Sequence, residues 1–264
     1  MKRLAVLGMP VSHSRSPAIH NAAFAALGMD GEWSYEAIEV APDQFGSRVR
    51  EMIGEGFVGA NVTVPYKSTA MLFAHRKSEV AREIGAANTL SFEEGTIRAD
   101  NTDAEGLLEA LPGSPAGRRA LVLGAGGAAR AVVWALVQAR AEVSVWNRTP
   151  ERAAKLCAEL GAREERDPAG EEYELIVNST SVGLHGEDPF AELPLKREMF
   201  AADQAVVDLV YGDSESTLLK VASEAGSDVI DGLEVLVRQG AASFRIWTGV
   251  DAPIEKMREA ARAS

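Results

Sequence analysis

Residues 121–130 read LVLGAGGAAR, and this one line holds a strand, a tight turn and the start of a helix. The apolar run 120–123 has the length of a short strand, and 128–139 consists almost wholly of helix formers. Gly124, Gly126 and Gly127 let the chain turn and let backbone approach a ligand closely. The new helix aims its free N–H groups and positive dipole end at the same point. With Ala125, Ala128 and Ala129 between and after them, the spacing is G-x-G-x-x-A, which predicts a pyrophosphate site in a βαβ unit. Glycine turns also end strands for structural reasons alone, so the following strand has to carry the reading further. That strand, 142–146, ends at Asn147-Arg148-Thr149, where a dinucleotide fold holds the residue that reads the adenosine ribose. An acid there would select NAD. Arg148, with Arg152 one turn into the next helix, offers two guanidiniums to a 2′-phosphate and predicts NADP as the cofactor.

Outward from this turn, the second half of the chain alternates: strands at 120–123, 142–146, 173–178, 205–210 and 228–230, helices at 128–139, 150–160 and 217–225. This alternation predicts a doubly wound parallel Rossmann-type sheet. The first hundred residues alternate too, with strands at 3–7, 33–40 and 57–64 and helices at 16–27 and 42–53. Further helices are expected at 65–74, 79–84 and 104–111, and a hairpin over 88–100 that turns at Glu94-Gly95. The fold class is therefore α/β, with a smaller N-terminal α/β domain before the nucleotide domain. The linker-like run 112–117, PGSPAG, precedes the nucleotide strand, and the boundary is expected near Asp103. The helical end, 233–247 and 254–261, is expected to pack back on the first domain. The expected division is thus 1–103 with 237–264 as the substrate-binding domain and 104–236 as the cofactor domain.

Composition excludes several function classes. The chain has 27 basic against 39 acidic residues, a formal net charge of −12, which argues against nucleic acid or a membrane surface as partner. Its single cysteine, Cys157, lies in a helical pattern, so no disulfide framework is expected and a reducing cytoplasm is the expected location. The four histidines show no ligand spacing, and no metal is expected. The start MKRLAVLG is too short for a signal peptide.

Three stretches of the first half carry polar residues that packing does not require. Ser14-Arg15-Ser16-Pro17 puts two hydroxyls where a helix begins, suited to a carboxylate, although Ser16 before Pro17 also reads as an ordinary N-cap. Asn61-Val62-Thr63-Val64-Pro65-Tyr66-Lys67 ends a strand on polar residues and puts a cation in the first turn of a helix, against the dipole. Such violations of local preference concentrate at functional sites. Gly85-Ala86-Ala87-Asn88-Thr89 precedes Asp100-Asn101-Thr102-Asp103, where Thr102 and Glu105 have the spacing of a capping box and leave Asp103 free. One lysine, one aspartate, asparagines and hydroxyls suit a small polyhydroxylated acid. Hydride transfer would leave an alkoxide that the lysine can protonate.

The ordered motifs SxSP (14–17), NVTxPxK (61–67), GAANT (85–89), NTD (101–103), GAGGAAR (124–130), NRTxxR (147–152), TSVG (180–183), DLVY (208–211) and GLxxLVxQG (232–240) resemble the shikimate dehydrogenase family across nearly the whole chain. The resemblance implies NADPH-dependent reduction of 3-dehydroshikimate to shikimate, on the route to chorismate and the aromatic amino acids. It implies that Ser14 and Ser16 bind the substrate carboxylate, that Thr63, Asn88, Tyr211 and Gln239 line the pocket, and that Lys67 and Asp103 are the catalytic pair. On the cofactor side it implies Gly124, Ala125, Gly126, Gly127, Ala128, Asn147, Arg148, Thr149, Arg152, Leu209 and Gly232. The partner implied is a small molecule, with a homodimer left open. Ser179, Leu233 and Arg238 depart from the residues more usual in the family. Two alternatives stand beside this reading: a quinate or dual quinate/shikimate dehydrogenase, and a non-catalytic sensor of NADP or shikimate.

Overall fold

The computed structural model describes residues 1–212 and 216–263. The chain forms two compact units, Met1–Gly106 with Leu236–Ser264 and Leu107–Val235.

In the first unit β1 (Lys2–Gly8), β2 (Trp33–Glu39) and β3 (Phe57–Val62) run parallel, connected through α1 (Ser16–Ala26) and α2 (Phe45–Gly54). After β3 come α3 (Lys67–Phe73), β4 (Arg76–Lys77) and α4 (Glu79–Ile84). The hairpin of β5 (Thr89–Glu93) and β6 (Thr96–Asp100) turns at Glu94 and Gly95, both left-handed with φ of 49° and 77°. The sheet order is β2-β1-β3-β5-β6-β4, with β5 antiparallel to β3. β3 is a central strand, buried along all but one of its side chains, and this explains why it reads as apolar except for Asn61. Phe45, Val49 and Met52 of α2 pack over it with Leu7, Phe57 and Leu90. Burial on that scale contributes about 1.5–3 kcal/mol per large side chain.

α5 (Asp103–Ala110) leads into the second unit, which contains β7 (Arg119–Leu123), α6 (Gly127–Gln138), β8 (Glu142–Trp146), α7 (Pro150–Leu160), β9 (Arg163–Glu164) and β10 (Leu175–Asn178). It continues through α8 (Pro189–Glu192), β11 (Ala205–Asp208), α9 (Thr217–Glu224) and β12 (Asp228–Asp231). All pairings are parallel in the order β12-β11-β10-β7-β8-β9, the doubly wound sheet expected from sequence. α10 (Gly232–Thr248) and α11 (Ile254–Ala263) close the chain. α11 packs on α1, and Arg15 Nη1 donates to the Ala261 carbonyl at 2.7 Å, which ties the start of α1 to the end of α11.

Several boundaries differ from the sequence reading. α2 starts at Phe45 rather than 42, because the Ala41 carbonyl accepts from Gln44 N in a turn. α3 starts at Lys67 rather than 65, since the Tyr66 N–H donates to the Thr63 carbonyl and uses Pro65 in a turn. The two-residue strands β4 and β9 and the short α8 were not expected; elements of that length carry no periodicity to read.

Candidate active site

In the first unit the chain leaves β1 toward β2 on one side and returns as β3 on the other, so the carboxyl ends of β1 and β3 form a topological switch point. Ser14–Ser16 follow β1 and Thr63–Lys67 follow β3. Lys67 is the first residue of α3, and its Nζ lies 2.7 Å from Asp103 Oδ2, with side chains 14% and 16% exposed. Asp103 opens α5, and its N–H donates to Asn101 Oδ1 at 3.0 Å; Ala104 N–H donates to the same oxygen at 3.4 Å. Asn101 is therefore the cap, and the capping box expected of Thr102 and Glu105 does not form. Thr102 is instead turned inward, its Oγ1 2.9 Å from Asn88 Nδ2, while Glu105 pairs with Arg245 at 2.7 Å. A buried amide has claimed the hydroxyl that a surface helix would have used.

Asn88 is buried, and its Nδ2 faces Asp103 Oδ1 at 2.9 Å and Gln239 Oε1 at 3.0 Å. Gln239 reaches it from α10 because Gly106 has no side chain: a Cβ there would stand 2.6 Å from the Gln239 backbone N. Gly106 is a positional requirement that sequence reading missed, signalled only by a glycine inside a helix. Ser14 and Thr63 are half-buried, and Ser14 Oγ accepts from Ser16 N–H at 3.3 Å. Ser16 is not the N-cap expected of it. It is the first helical residue, buried, and α1 has no side-chain cap. The approach through Arg15, already in helical conformation, places the helix start one residue early.

In the second unit β7 lies between β10 and β8, and the glycine turn follows it at the switch point. Gly124 is left-handed at φ 110°, and a Cβ there would meet Ser179 Oγ at 2.9 Å. Gly126 caps α6 with no side-chain hydrogen bond, and a Cβ on it would enter open space. Gly127 and Ala128 form the first turn of α6, after half-buried Ala125. Asn147 Nδ2 donates to the Thr149 carbonyl at 2.9 Å, and Thr149 precedes α7 without capping it. Arg148 and Arg152 are exposed. Gly232 is packed so closely that a Cβ would lie 2.6 Å from the Leu209 carbonyl oxygen. Tyr211 follows β11, half-buried in this unit.

Asp208 was named in a motif but given no task, and it organises this end of the sheet. It accepts from Asn178 Nδ2 at 2.9 Å, Val210 N–H at 3.1 Å and Ser216 Oγ at 2.6 Å, so it pins the loops after β10 and β11 to the start of α9. Burial pushes its carboxyl above the usual carboxylate range, with those three donors opposing.

Residues 6–90 match the shikimate dehydrogenase substrate binding domain, 107–182 match shikimate / quinate 5-dehydrogenase, and 232–262 match the shikimate 5′-dehydrogenase C-terminal domain. A shikimate dehydrogenase (NADP(+)) of Thermus thermophilus is 47% identical over 264 residues, 99% of this chain and 98% of that one. The chain belongs to the shikimate dehydrogenase family. A shikimate 5-dehydrogenase from another strain of Thermus thermophilus, solved in complex with NADP(H) and shikimate, superposes with a TM-score of 0.91 at 46% identity, covering 100% of this chain and 99% of that one. The shikimate dehydrogenase of Aquifex aeolicus gives 0.93 at 37% identity, covering 99% and 98%.

The second unit of this shikimate dehydrogenase family member fits an anionic dinucleotide on its own geometry. No side chain caps α6, a Cβ on Gly126 at its start would enter open space, and the two exposed guanidiniums follow the neighbouring strand β8, an arrangement suited to an anion.

Proposed function

We propose that the protein interconverts 3-dehydroshikimate and shikimate with NADP(H), and the observation that carries this is the Lys67–Asp103 pair, 2.7 Å apart and mostly buried after the switch point of the first unit. When bound, NADPH supplies a hydride and NADP+ takes one up. In reduction the carbonyl oxygen gains negative charge, and the Lys67 ammonium gives it a proton, so that ketone, hydride and proton make the alcohol. In oxidation the lysine takes the hydroxyl proton. Asp103 orients the ammonium through Oδ2 and accepts from a neighbouring substrate hydroxyl. Thr63, Asn88 and Gln239 receive the remaining polar groups, and Ser14 and Ser16 bind the carboxylate at the positive end of α1. The first unit thus takes substrate and the second cofactor. The backbone of Gly124–Ala128 receives the pyrophosphate, with Asn147 and Thr149 beside the adenosine. Arg148 and Arg152 receive the 2′-phosphate, and Leu209 and Gly232 border the nicotinamide.

The step belongs to the route to chorismate and the aromatic amino acids, carried out in the cytoplasm, as the single cysteine supports. Among the described residues no helix is long and apolar enough to cross a membrane. Reduction of NADP by shikimate, repeated with quinate and with NAD, tests the reading. Turnover should be fastest with shikimate and NADP, and absence of turnover with that pair overturns it. Sedimentation of the active protein tests whether the working form is a homodimer.

A further inference from the structure

We propose that Tyr35 is a positioning residue for the Lys67–Asp103 pair, acting through a buried chain of hydrogen bonds from its hydroxyl through Asn61, Thr89 and Asn88 to the Asp103 carboxylate; the inference rests on the catalytic reading of that pair given above. Asn61 is the polar side chain in the buried strand β3, and Thr89 and Asn88 are fully enclosed with it. Tyr35 Oη donates to Asn61 Oδ1 at 2.7 Å, and Asn61 Nδ2 donates to Thr89 Oγ1 at 3.1 Å. Thr89 Oγ1 donates to Asn88 Oδ1 at 3.0 Å, and Asn88 Nδ2 faces Asp103 Oδ1 at 2.9 Å.

Backbone groups set the direction of this chain. The Asn88 carbonyl accepts from Asn61 Nδ2 at 3.0 Å, so the Asn61 amide nitrogen must face it and the Asn61 oxygen is left toward Tyr35. The Thr102 N–H donates to Asn88 Oδ1 at 2.8 Å, so the Asn88 nitrogen must face Asp103. Every donor therefore points toward the carboxylate, and aligned bonds in a dry interior strengthen one another. Removing the first donor leaves Asn61 Oδ1 buried and unpaired, which frees its amide to move and loosens each later link.

The seat of Tyr35 is more exacting than ring packing needs. The Asn21 side chain pairs with both backbone groups of Tyr35, Nδ2 to the carbonyl at 2.9 Å and N–H to Oδ1 at 3.0 Å, extending the edge of β2 as another strand would. The neighbouring His20 ring stacks on the phenol at 4.3 Å and 3°. No partner stands in hydrogen-bond geometry to either His20 nitrogen, and burial pushes the imidazole down to about 3. His20 is thus a neutral plate, with Trp247 tilted against both rings. A phenylalanine at position 35 would fill the same space, so the hydroxyl is the part that packing leaves unexplained.

Tyr35→Phe separates the roles. The single-turnover rate of shikimate oxidation should fall about tenfold, with shikimate affinity by calorimetry within twofold of the parent and a thermal melt lowered by a few degrees, as one buried acceptor without its donor requires. In a Lys67→Ala background the same change should have no further effect on rate, because the pair it positions is already broken. A Tyr35→Phe rate within twofold of the parent, or a tenfold loss that persists without Lys67, overturns the proposal. Should Tyr35→Phe not fold, Thr89→Val cuts the chain one link nearer and must give the same pattern. An inactive parent, or a Lys67→Ala variant with parental rate, fails the catalytic reading and this proposal together. An active parent with a slow Lys67→Ala and a normal Tyr35→Phe fails this proposal alone.

Discussion

The surroundings of Lys67 and Asp103 and the glycine turn after β7 are two sites built in opposite ways. Around the pair, side chains satisfy one another: Asn88, Thr89 and Thr102 are each buried and hydrogen-bonded in both directions. At the turn, no side chain caps the helix and a Cβ on Gly126 would enter open space. The first arrangement holds charged groups in place before substrate arrives; the second leaves room and donors for an anion. Chemistry at a reacting atom depends on geometry set in advance, whereas an extended dinucleotide needs space and uncompensated N–H groups. Substitutions at the first site should therefore act on rate, and substitutions around the second on cofactor affinity.

The largest effect expected is at the pair itself. Lys67→Ala should lower kcat by roughly 10²- to 10⁴-fold with KM for shikimate and affinity for NADP little changed, read by steady-state kinetics and fluorescence titration. Asp103→Asn should harm both kcat and KM, since it loosens the lysine and loses a hydroxyl acceptor. A threefold loss or less in Lys67→Ala would make the lysine a clamp and break the contrast. Next in size, Arg148→Asp should erase a preference for NADP over NAD of about one to two orders of magnitude in kcat/KM, by removing charge-assisted bonds worth ~1.5–3 kcal/mol. Parental kcat at saturating NADP would sharpen the contrast; a collapse of kcat would remove it.

A smaller effect is expected on stability. The folded His20 titrates near 3 against 6.5 for a free imidazole, so the unfolded chain binds the proton first as pH falls. Stability from this residue is unaffected above 6.5 and is lost as pH falls from 6.5 toward 3. The slope should approach about 1.4 kcal/mol per pH unit, and His20→Phe should flatten it in urea unfolding measured at pH 7, 6 and 5. Equal slopes in variant and parent would show that the plate beneath Tyr35 is solvated. The smallest effect concerns Ser16. Because its hydroxyl caps nothing, Ser16→Ala should change unfolding free energy by less than about 0.5 kcal/mol while raising KM for shikimate. A loss near 1 kcal/mol would restore the capping role that the sequence pattern implied.

The amino-acid sequence by itself determined the parallel sheet of the second unit and the place of its glycine turn. Both follow from local rules: strand and helix periods, and glycines where the chain must turn against open space. It also determined that Lys67 was odd for its position, since a cation in a first helical turn breaks a local preference, whereas Asp103 suits the first turn of its own helix. Only the tertiary structure decided that these two meet, that Asn101 rather than Thr102 caps α5, and that Gly106 must lack a side chain for Gln239 to approach Asn88. It alone turned Asn61, Thr89 and Tyr35 from strand residues into one directed chain. The physical reason is range. Turns, caps and amphipathic faces depend on neighbours within a few residues, whereas a buried polar group takes whatever partner the packed chain brings, here from as far as 151 positions away in the case of Asn88 and Gln239.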